Sequence, residues 1–259
     1  MGKLMDALRL PELEGVDDLD DASTTELHRE IILKKGFLKK IYVDLYQQYN
    51  DVIREYDEHG LFVELGSGGG FVKSKLPGVI TSDILSLSHI DICFNAEAIP
   101  FRDHSVDAFF MIDVLHHIKN PAKIIQEMNR CLKKGGRVLM TEPANTAWSR
   151  FIYQNFHHEN FDPTSGWLIE GTGPMSSANG ALLWIIFFRD VEKFNNDFPS
   201  LNITKKMNHT PFRYLVSGGV SMKQLLPTWT YGFFKGFEWI LTPFSNLLGM
   251  FCTVELKKK

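Results

Sequence analysis

The sequence predicts an α/β domain built on a doubly wound sheet with helices on both faces. Three observations carry that prediction. Short strands that are apolar throughout, such as Val106 to Ile112, suit a sheet covered on both sides. These strands alternate with helical patterns, which implies parallel pairing through right-handed crossovers. A glycine cluster follows the first strand directly, at the edge where open α/β sheets bind ligands.

The elements follow in chain order. The segment up to about Ala22 reads as irregular, and Ser23-Thr24-Thr25-Glu26 reads as a capping box opening a helix. Leu38, Ile41, Tyr42, Leu45, Tyr46, Tyr49, Val52 and Ile53 form one helical face, with Gly36 dividing the region in two. Leu61 to Leu65 is a buried strand, Val79 to Ser82 a second ending at Asp83, and Ile90 to Phe94 a third. Val106 to Ile112 is the fourth. Asn120-Pro121 starts a helix with core face Ile124, Ile125, Met128 and Leu132, and Gly135-Gly136 is expected to stop it. Arg137 to Thr141 is the fifth strand. Residues 143–180 read as a loop-rich insertion and 181–198 as containing a helix. Leu201 to Met207 and Met250 to Leu256 read as two further strands, flanking a stretch rich in aromatics, Gly and Pro.

Bulk properties narrow the function. The 259 residues suffice for one large domain with its own core. A net charge of −3 supplies no field to gather nucleic acid. Cys93, Cys131 and Cys252 show no C-x-x-C pairing and sit in apolar stretches, so they read as small buried thiols in a reducing compartment. With no signal-peptide pattern and no apolar run long enough to span a bilayer, a cytoplasmic protein is expected.

The chemistry concentrates in Glu64-Leu65-Gly66-Ser67-Gly68-Gly69-Gly70. Glycines there let the backbone turn sharply and approach a ligand. Asp83, nineteen positions after Glu64, ends the next strand, where a carboxylate can accept from both hydroxyls of a ribose. Together they indicate a nucleoside-containing cofactor. A nicotinamide dinucleotide meets two objections. Phe71 stands where its fingerprint needs a small residue, and Glu64 would repel two phosphates. S-adenosylmethionine has no phosphate and carries an ammonium and a sulfonium. Opposite charges about 4 Å apart gain about 4 kcal/mol at an intermediate dielectric, before desolvation.

Phe62 to Gly70 resembles the E/D-x-G-x-G-x-G signature of class I S-adenosylmethionine-dependent methyltransferases. Asn95-Ala96-Glu97-Ala98-Ile99-Pro100-Phe101 is similar to that family's D-A-x-x-L-P-F segment, departing from it at Asn95. Asp113 to Ile118, and Pro121 to Glu142, resemble the segments that follow in the family. The branch it is most similar to is the small-molecule type that includes quinone-biosynthesis methyltransferases. The resemblance spans roughly Leu61 to Glu142. It implies a Rossmann-like methyltransferase sheet, mostly parallel with one antiparallel strand near the C-terminus. The whole chain, 1–259, is then one domain: an N-terminal helical cap (1–58), a cofactor-binding core (61–142), an insertion and helix (143–200), and last strands with an aromatic insertion (201–259).

The resemblance also assigns roles. Glu64 would orient the methionine ammonium, and Gly66, Ser67 and Gly68 would contact methionine and ribose. Asp83 would hold the ribose with Ile84 against the adenine, Ala96 and Glu97 would border the base, and Asp113 would lie near the methionine end. The product would be S-adenosylhomocysteine. Should the acceptor need a base, the candidates are His116, His117, His157, His158 and Glu142, with His117, His158 and Glu142 foremost. No metal site is expected, because the adjacent residues His157, His158 and Glu159 rarely point one way and no spaced ligand set is evident. The expected partner is a small-molecule or lipid-like acceptor, not nucleic acid. Phe212, Tyr214, Trp229, Tyr231, Phe233, Phe234, Phe237, Trp239 and Phe244 make either a core beneath the C-terminal insertion, or a greasy wall for a lipid-like or aromatic acceptor or a surface for peripheral membrane contact. A cofactor-binding module without catalysis, and a nicotinamide-dependent oxidoreductase, remain as alternatives.

Overall fold

The computed structural model describes residues 8–259 apart from positions 17, 58, 158 and 172. Its seven strands are β1 (Phe62–Glu64), β2 (Val79–Asp83), β3 (Ile92–Cys93), β4 (Val106–Ile112), β5 (Leu132–Pro143), β6 (Leu201–His209) and β7 (Phe251–Lys258). They form one sheet in the order β3-β2-β1-β4-β5-β7-β6. Strands β1 to β5 pair in parallel, and β7 lies antiparallel between β5 and β6. The expected sheet, with its antiparallel strand near the C-terminus, is the one observed.

Strand order reverses between β1 and β4, so the carboxyl end of β1 opens onto the crevice where such sheets bind ligands. Alternation along β1 places Phe62 in the core on one face and Val63 in the core on the other. All seven residues of β4 are buried, including Asp107. That carboxylate accepts from the Leu61 N–H at 2.8 Å and pairs with Lys133 at 2.7 Å, which makes its burial tolerable.

The first face is covered by α1 (Ala22–Lys34) and α2 (Gly36–Ile53). Asp21, not Ser23, caps α1, its side chain accepting from the Ser23 N–H at 2.7 Å, so the capping box lies inside the helix. Gly36 does separate the two helices, and a Cβ there would overlap the Thr228 side chain. The second face is covered by α3 (Pro121–Cys131). This helix ends before Gly135-Gly136, because the chain already joins β4 at Leu132. The glycines form an irregularity inside β5, with Gly135 at φ +80°.

Within 143–180, expected as loop, α4 (Ala147–Phe156) forms on a reciprocal cap between Thr146 and Ser149. Beyond it lie α5 (Leu182–Trp184), continued by a π-helical segment to Arg189, then α6 (Val191–Asp197), α7 (Arg213–Ser217), α8 (Tyr231–Ile240) and α9 (Ser245–Leu248). The cysteines are free. Cys131 and Cys252 are buried, which pushes their thiols up to about 11 and about 12, whereas Cys93 on the short edge strand is exposed, contrary to expectation. Among the described residues, no helix is long and apolar enough to cross a membrane.

Candidate active site

Beyond Glu64 the backbone enters the left-handed region at Gly66 (φ +63°) and again at Gly68 (φ +45°). The Ser67 N–H donates to the Ser82 carbonyl and the Gly68 N–H to Asp83 Oδ2, both at 2.8 Å. Asp83 Oδ1 accepts from the Leu85 N–H at 2.9 Å. Asp83 therefore clamps the loop to β2 and still presents lone pairs to the crevice. Arg29 from α1 donates to the Gly70 carbonyl, tying the helical cap to the same loop.

Gly66 and Gly68 differ usefully. A Cβ on Gly66 would sit 2.6 Å from Val114 Cγ2, whereas one on Gly68 would meet nothing nearer than 3.9 Å. Gly66→Ala is therefore expected to destabilise the fold by about 2–3 kcal/mol, from left-handed strain plus overlap, and Gly68→Ala by only about 1 kcal/mol. Thermal melting of the two variants checks the ordering.

The loop opens into a cavity of about 360 Å³. Glu64, Gly66, Ser67, Gly68, Asp83, Ile84, Ala96, Glu97, Asp113, His116, His117 and His157 all line it, so one space gathers every predicted cofactor residue and three of the five candidate bases. Asn95 lines it too, its Oδ1 accepting the Glu97 N–H at 2.9 Å, so the departure from Asp preserves an acceptor. Sequence reasoning read Tyr42 and Tyr46 of α2 only as a helical core face, yet they close the cavity, as do Tyr153, Glu159 and Tyr214. The signal was there in the tyrosines at 42, 46 and 49, which share one helical face.

One predicted base, Glu142, falls elsewhere. Glu142 lies behind the cavity wall. Its Oε1 accepts from the N–H groups of Val114 at 2.8 Å and Leu115 at 2.7 Å, and its Oε2 meets His116 Nδ1 at 2.5 Å. It fixes the turn Leu115–His117 instead of facing a substrate. His158 lies outside the described residues.

Charge in the cavity is set by burial. Desolvation lifts Glu64 to about 7; the Ser67 and Tyr49 hydroxyls moderate the rise, yet Oε2 closes no hydrogen bond among the described residues. Desolvation lifts Asp113 to about 8 against the pull of His116, and its Oδ1 is likewise buried without a partner. Asp83 is raised by burial despite its amide donors. Burial opposes a charge on His116, but Glu142 and Glu159 outweigh it and hold the ring protonated. His117, buried beside His116, is pushed down to about 4 and is neutral at pH 7.

Three carboxylates lining one cavity, Glu64, Asp83 and Asp113, fit a ligand that brings donors and positive charge, as the ammonium and ribose of S-adenosylmethionine do. A pyrophosphate fits poorly. The glycine loop leads only into a single 3₁₀ turn, Val72–Ser74, which offers no helix N-terminus to an anion. Phe71 packs edge-on against Tyr46 at 5.1 Å and leaves no room for the close helix–strand contact of a dinucleotide site.

Residues 63–140 match the model of a methyltransferase domain. That match takes in the sheet from β1 into β5, less than a third of the chain, which is similar there to methyltransferase domains. Over 76 residues it is 38% identical to the ubiquinone/menaquinone biosynthesis C-methyltransferase UbiE of Xylella fastidiosa, covering 29% of this chain and 30% of that protein. Over 104 residues it is 28% identical to the uncharacterized protein MJ1123 of Methanocaldococcus jannaschii, covering 37% of this chain and 51% of that one. The chain thus spans about half, or less, of the length of the curated relatives it matches. In three dimensions it is similar to geranyl diphosphate C-methyltransferase from Streptomyces coelicolor A3(2), with TM-score 0.52, 12% identity, and coverage of 97% and 92% of the two chains. That likeness concerns the fold. The matched segment contains the glycine loop, Asp83 and Asp113, which line the crevice.

Proposed function

We propose that this protein transfers the methyl group of S-adenosylmethionine to a lipid-like acceptor at a membrane surface. The observation that carries the methyl-donor half is that two carboxylates, Glu64 and Asp113, line the cavity beside the glycine loop, each with one buried oxygen that has no hydrogen-bond partner among the described residues. When bound, the donor supplies an activated methyl on a sulfonium, so the chain's task is orientation and exclusion of water. Glu64 holds the ammonium, Asp83 accepts from the ribose hydroxyls, and Asn95, Ala96 and Glu97 border the adenine with Ile84. His116, His117 and Glu159 line the same cavity and handle whatever proton the acceptor must lose. Glu142 serves by positioning His116.

The lipid-like acceptor rests on two features. Leu38, Leu45, Val220 and Phe251 give the cavity apolar walls. Next to it, α8 is turned inside out. It buries Glu238, which accepts from the N–H groups of Phe212 and Arg213, and Tyr231, whose hydroxyl donates to Asp44 of α2 at 2.7 Å. Aromatic residues of α8 and of the 3₁₀ turn Thr228–Thr230 before it face outward: Trp229 is 82% exposed, Phe233 72% and Trp239 78%. A buried core beneath the insertion therefore accounts for Tyr231 but not for these three. Exposed Lys40 sets its Nζ 5.4 Å from the centroid of the Tyr231 ring, at the start of α8, and cationic and aromatic groups together suit an anionic lipid surface.

Incubation with methyl-labelled S-adenosylmethionine, with and without a lipid extract, tests the proposal. Label is expected in the organic phase; label confined to water-soluble product would refute the lipid-like acceptor. In flotation with anionic vesicles at low salt the chain is expected to rise with the lipid. Changing Trp229, Phe233 and Trp239 together to Ser should cut the floated fraction at least about tenfold.

A further inference from the structure

We propose that His116, His117 and Glu159 form a divalent transition-metal site of the Zn(II) type on the acceptor side of the cavity. The site stands on its own geometry; only its service to methyl transfer rests on the function proposed above.

The 3₁₀ turn Leu115–His117 does what adjacent residues on a strand cannot. It lays the two imidazoles side by side, with ring centroids 4.2 Å apart. Each ring presents its Nδ1 to a fixed acceptor: His116 to buried Glu142 at 2.5 Å and His117 to the Ser177 carbonyl at 3.2 Å. That arrangement puts a proton on Nδ1 of each ring and turns both Nε2 atoms toward Glu159; on His116 a metal would take the place of the second proton, the one on Nε2. A carboxylate or carbonyl behind each histidine is the outer shell that metal-binding imidazoles use to fix tautomer and orientation.

The distances point the same way. His116 Nε2 lies 3.4 Å from Glu159 Oε2, and His117 Nε2 lies 3.6 Å from Glu159 Oε1. Charge-assisted hydrogen bonds close to about 2.7–2.9 Å, so these pairs are long for direct bonding. Two ligands each about 2.1 Å from a tetrahedral metal stand about 3.4 Å apart, which these separations match. One ligand atom from each of the three residues falls within 4.8 Å of the others. The set is shielded, with side chains 3%, 9% and 21% exposed. His157 is not counted, since its Nδ1 accepts the Glu159 N–H at 3.3 Å.

Two histidines and one carboxylate leave a tetrahedral metal an open position. All three residues line the cavity, so a hydroxyl or thiol entering it can bind there and release its proton to solvent more easily than when free.

The test uses the full chain without a polyhistidine tag, stripped with a chelator, then titrated by calorimetry with Zn(II) and, in parallel, with S-adenosylhomocysteine. One Zn(II) per chain is expected, and Co(II) should give a visible absorption band of a tetrahedral centre. His117→Ala and Glu159→Gln should each weaken Zn(II) at least about tenfold while S-adenosylhomocysteine still binds, which shows that the variants are folded. Failure of the wild type to bind Zn(II) saturably while binding S-adenosylhomocysteine would overturn the metal site and leave the cofactor reading intact. Undiminished Zn(II) affinity in both variants would also overturn it. Saturable Zn(II) binding, lost in both variants, in a protein that ignores S-adenosylhomocysteine would uphold the site and reject the cofactor reading.

Discussion

Glu64→Gln is expected to make the cofactor-free protein more stable at pH 8 and, at the same time, a far poorer binder of S-adenosylmethionine. Both signs follow from one buried carboxyl. Burial raises Glu64 from 4.5 to about 7, so the folded state holds its proton more tightly than the unfolded chain does. The stability this represents is complete below pH 4.5 and lost as the pH rises through 7. At pH 8 the wild type carries an uncompensated charge, which Gln removes. The gain is about 1–3 kcal/mol, provided that the nearby Ser67 and Tyr49 hydroxyls turn to accept from the new amide. Ligand binding reverses the sign, because an ammonium pairs with a carboxylate and not with an amide. Affinity of the wild type should climb from pH 6 to about 7.5 as Glu64 ionises, then fall as the ligand's own amine, with an ordinary pKa near 8, loses its proton. In Glu64→Gln the acid limb should flatten, and affinity at pH 7.5 should drop about 10- to 100-fold. Denaturant melts at pH 5 and pH 8 with calorimetry across the range read both effects; a variant as tight as wild type would remove Glu64 from the site.

Asp83→Ala should have the larger effect on binding. Asp83 does two jobs, and alanine loses both. It accepts from the Gly68 and Leu85 amides, whose bonds hold the glycine loop against β2, and it offers its remaining lone pairs to the crevice. Two amides left without acceptors cost about 1–3 kcal/mol each if they stay dry, less if water enters. The fold, with its core on both sheet faces, survives that loss. Affinity for S-adenosylhomocysteine does not: losing both the charged acceptor and the ordered loop should weaken it about 100-fold or more. Unchanged affinity in a folded variant would mean that the ribose lies elsewhere.

How much the sequence discloses depends on how local the cause is. β4 was legible to its last residue because seven consecutive buried positions leave no other reading. The glycine loop and Asp83 were legible because short-range backbone geometry dictates those residue types. β3 shrank to Ile92–Cys93 because it is an edge with one neighbour, and the same edge left Cys93 exposed. Helix α4 went unseen because its cap closes through Ser149, where the pattern sought expects Glu or Gln. Glu142 looked like a base because it ends a strand at the functional edge; only the folded turn of residues 114–116 shows its oxygens already engaged. The meeting of His116 and His117 with Glu159, some forty residues onward, belongs to tertiary structure. So does the outward face of α8, whose buried Glu238 inverts the pattern hydrophobicity alone would give.

The most direct test is calorimetric titration of the 259-residue chain, stripped of bound ligand, at pH 7.5 with S-adenosylhomocysteine and, separately, with oxidised nicotinamide adenine dinucleotide. The account predicts one-to-one binding of the first, abolished in Asp83→Ala, and no heat of binding from the second. Saturable uptake of the dinucleotide with none of S-adenosylhomocysteine would contradict it.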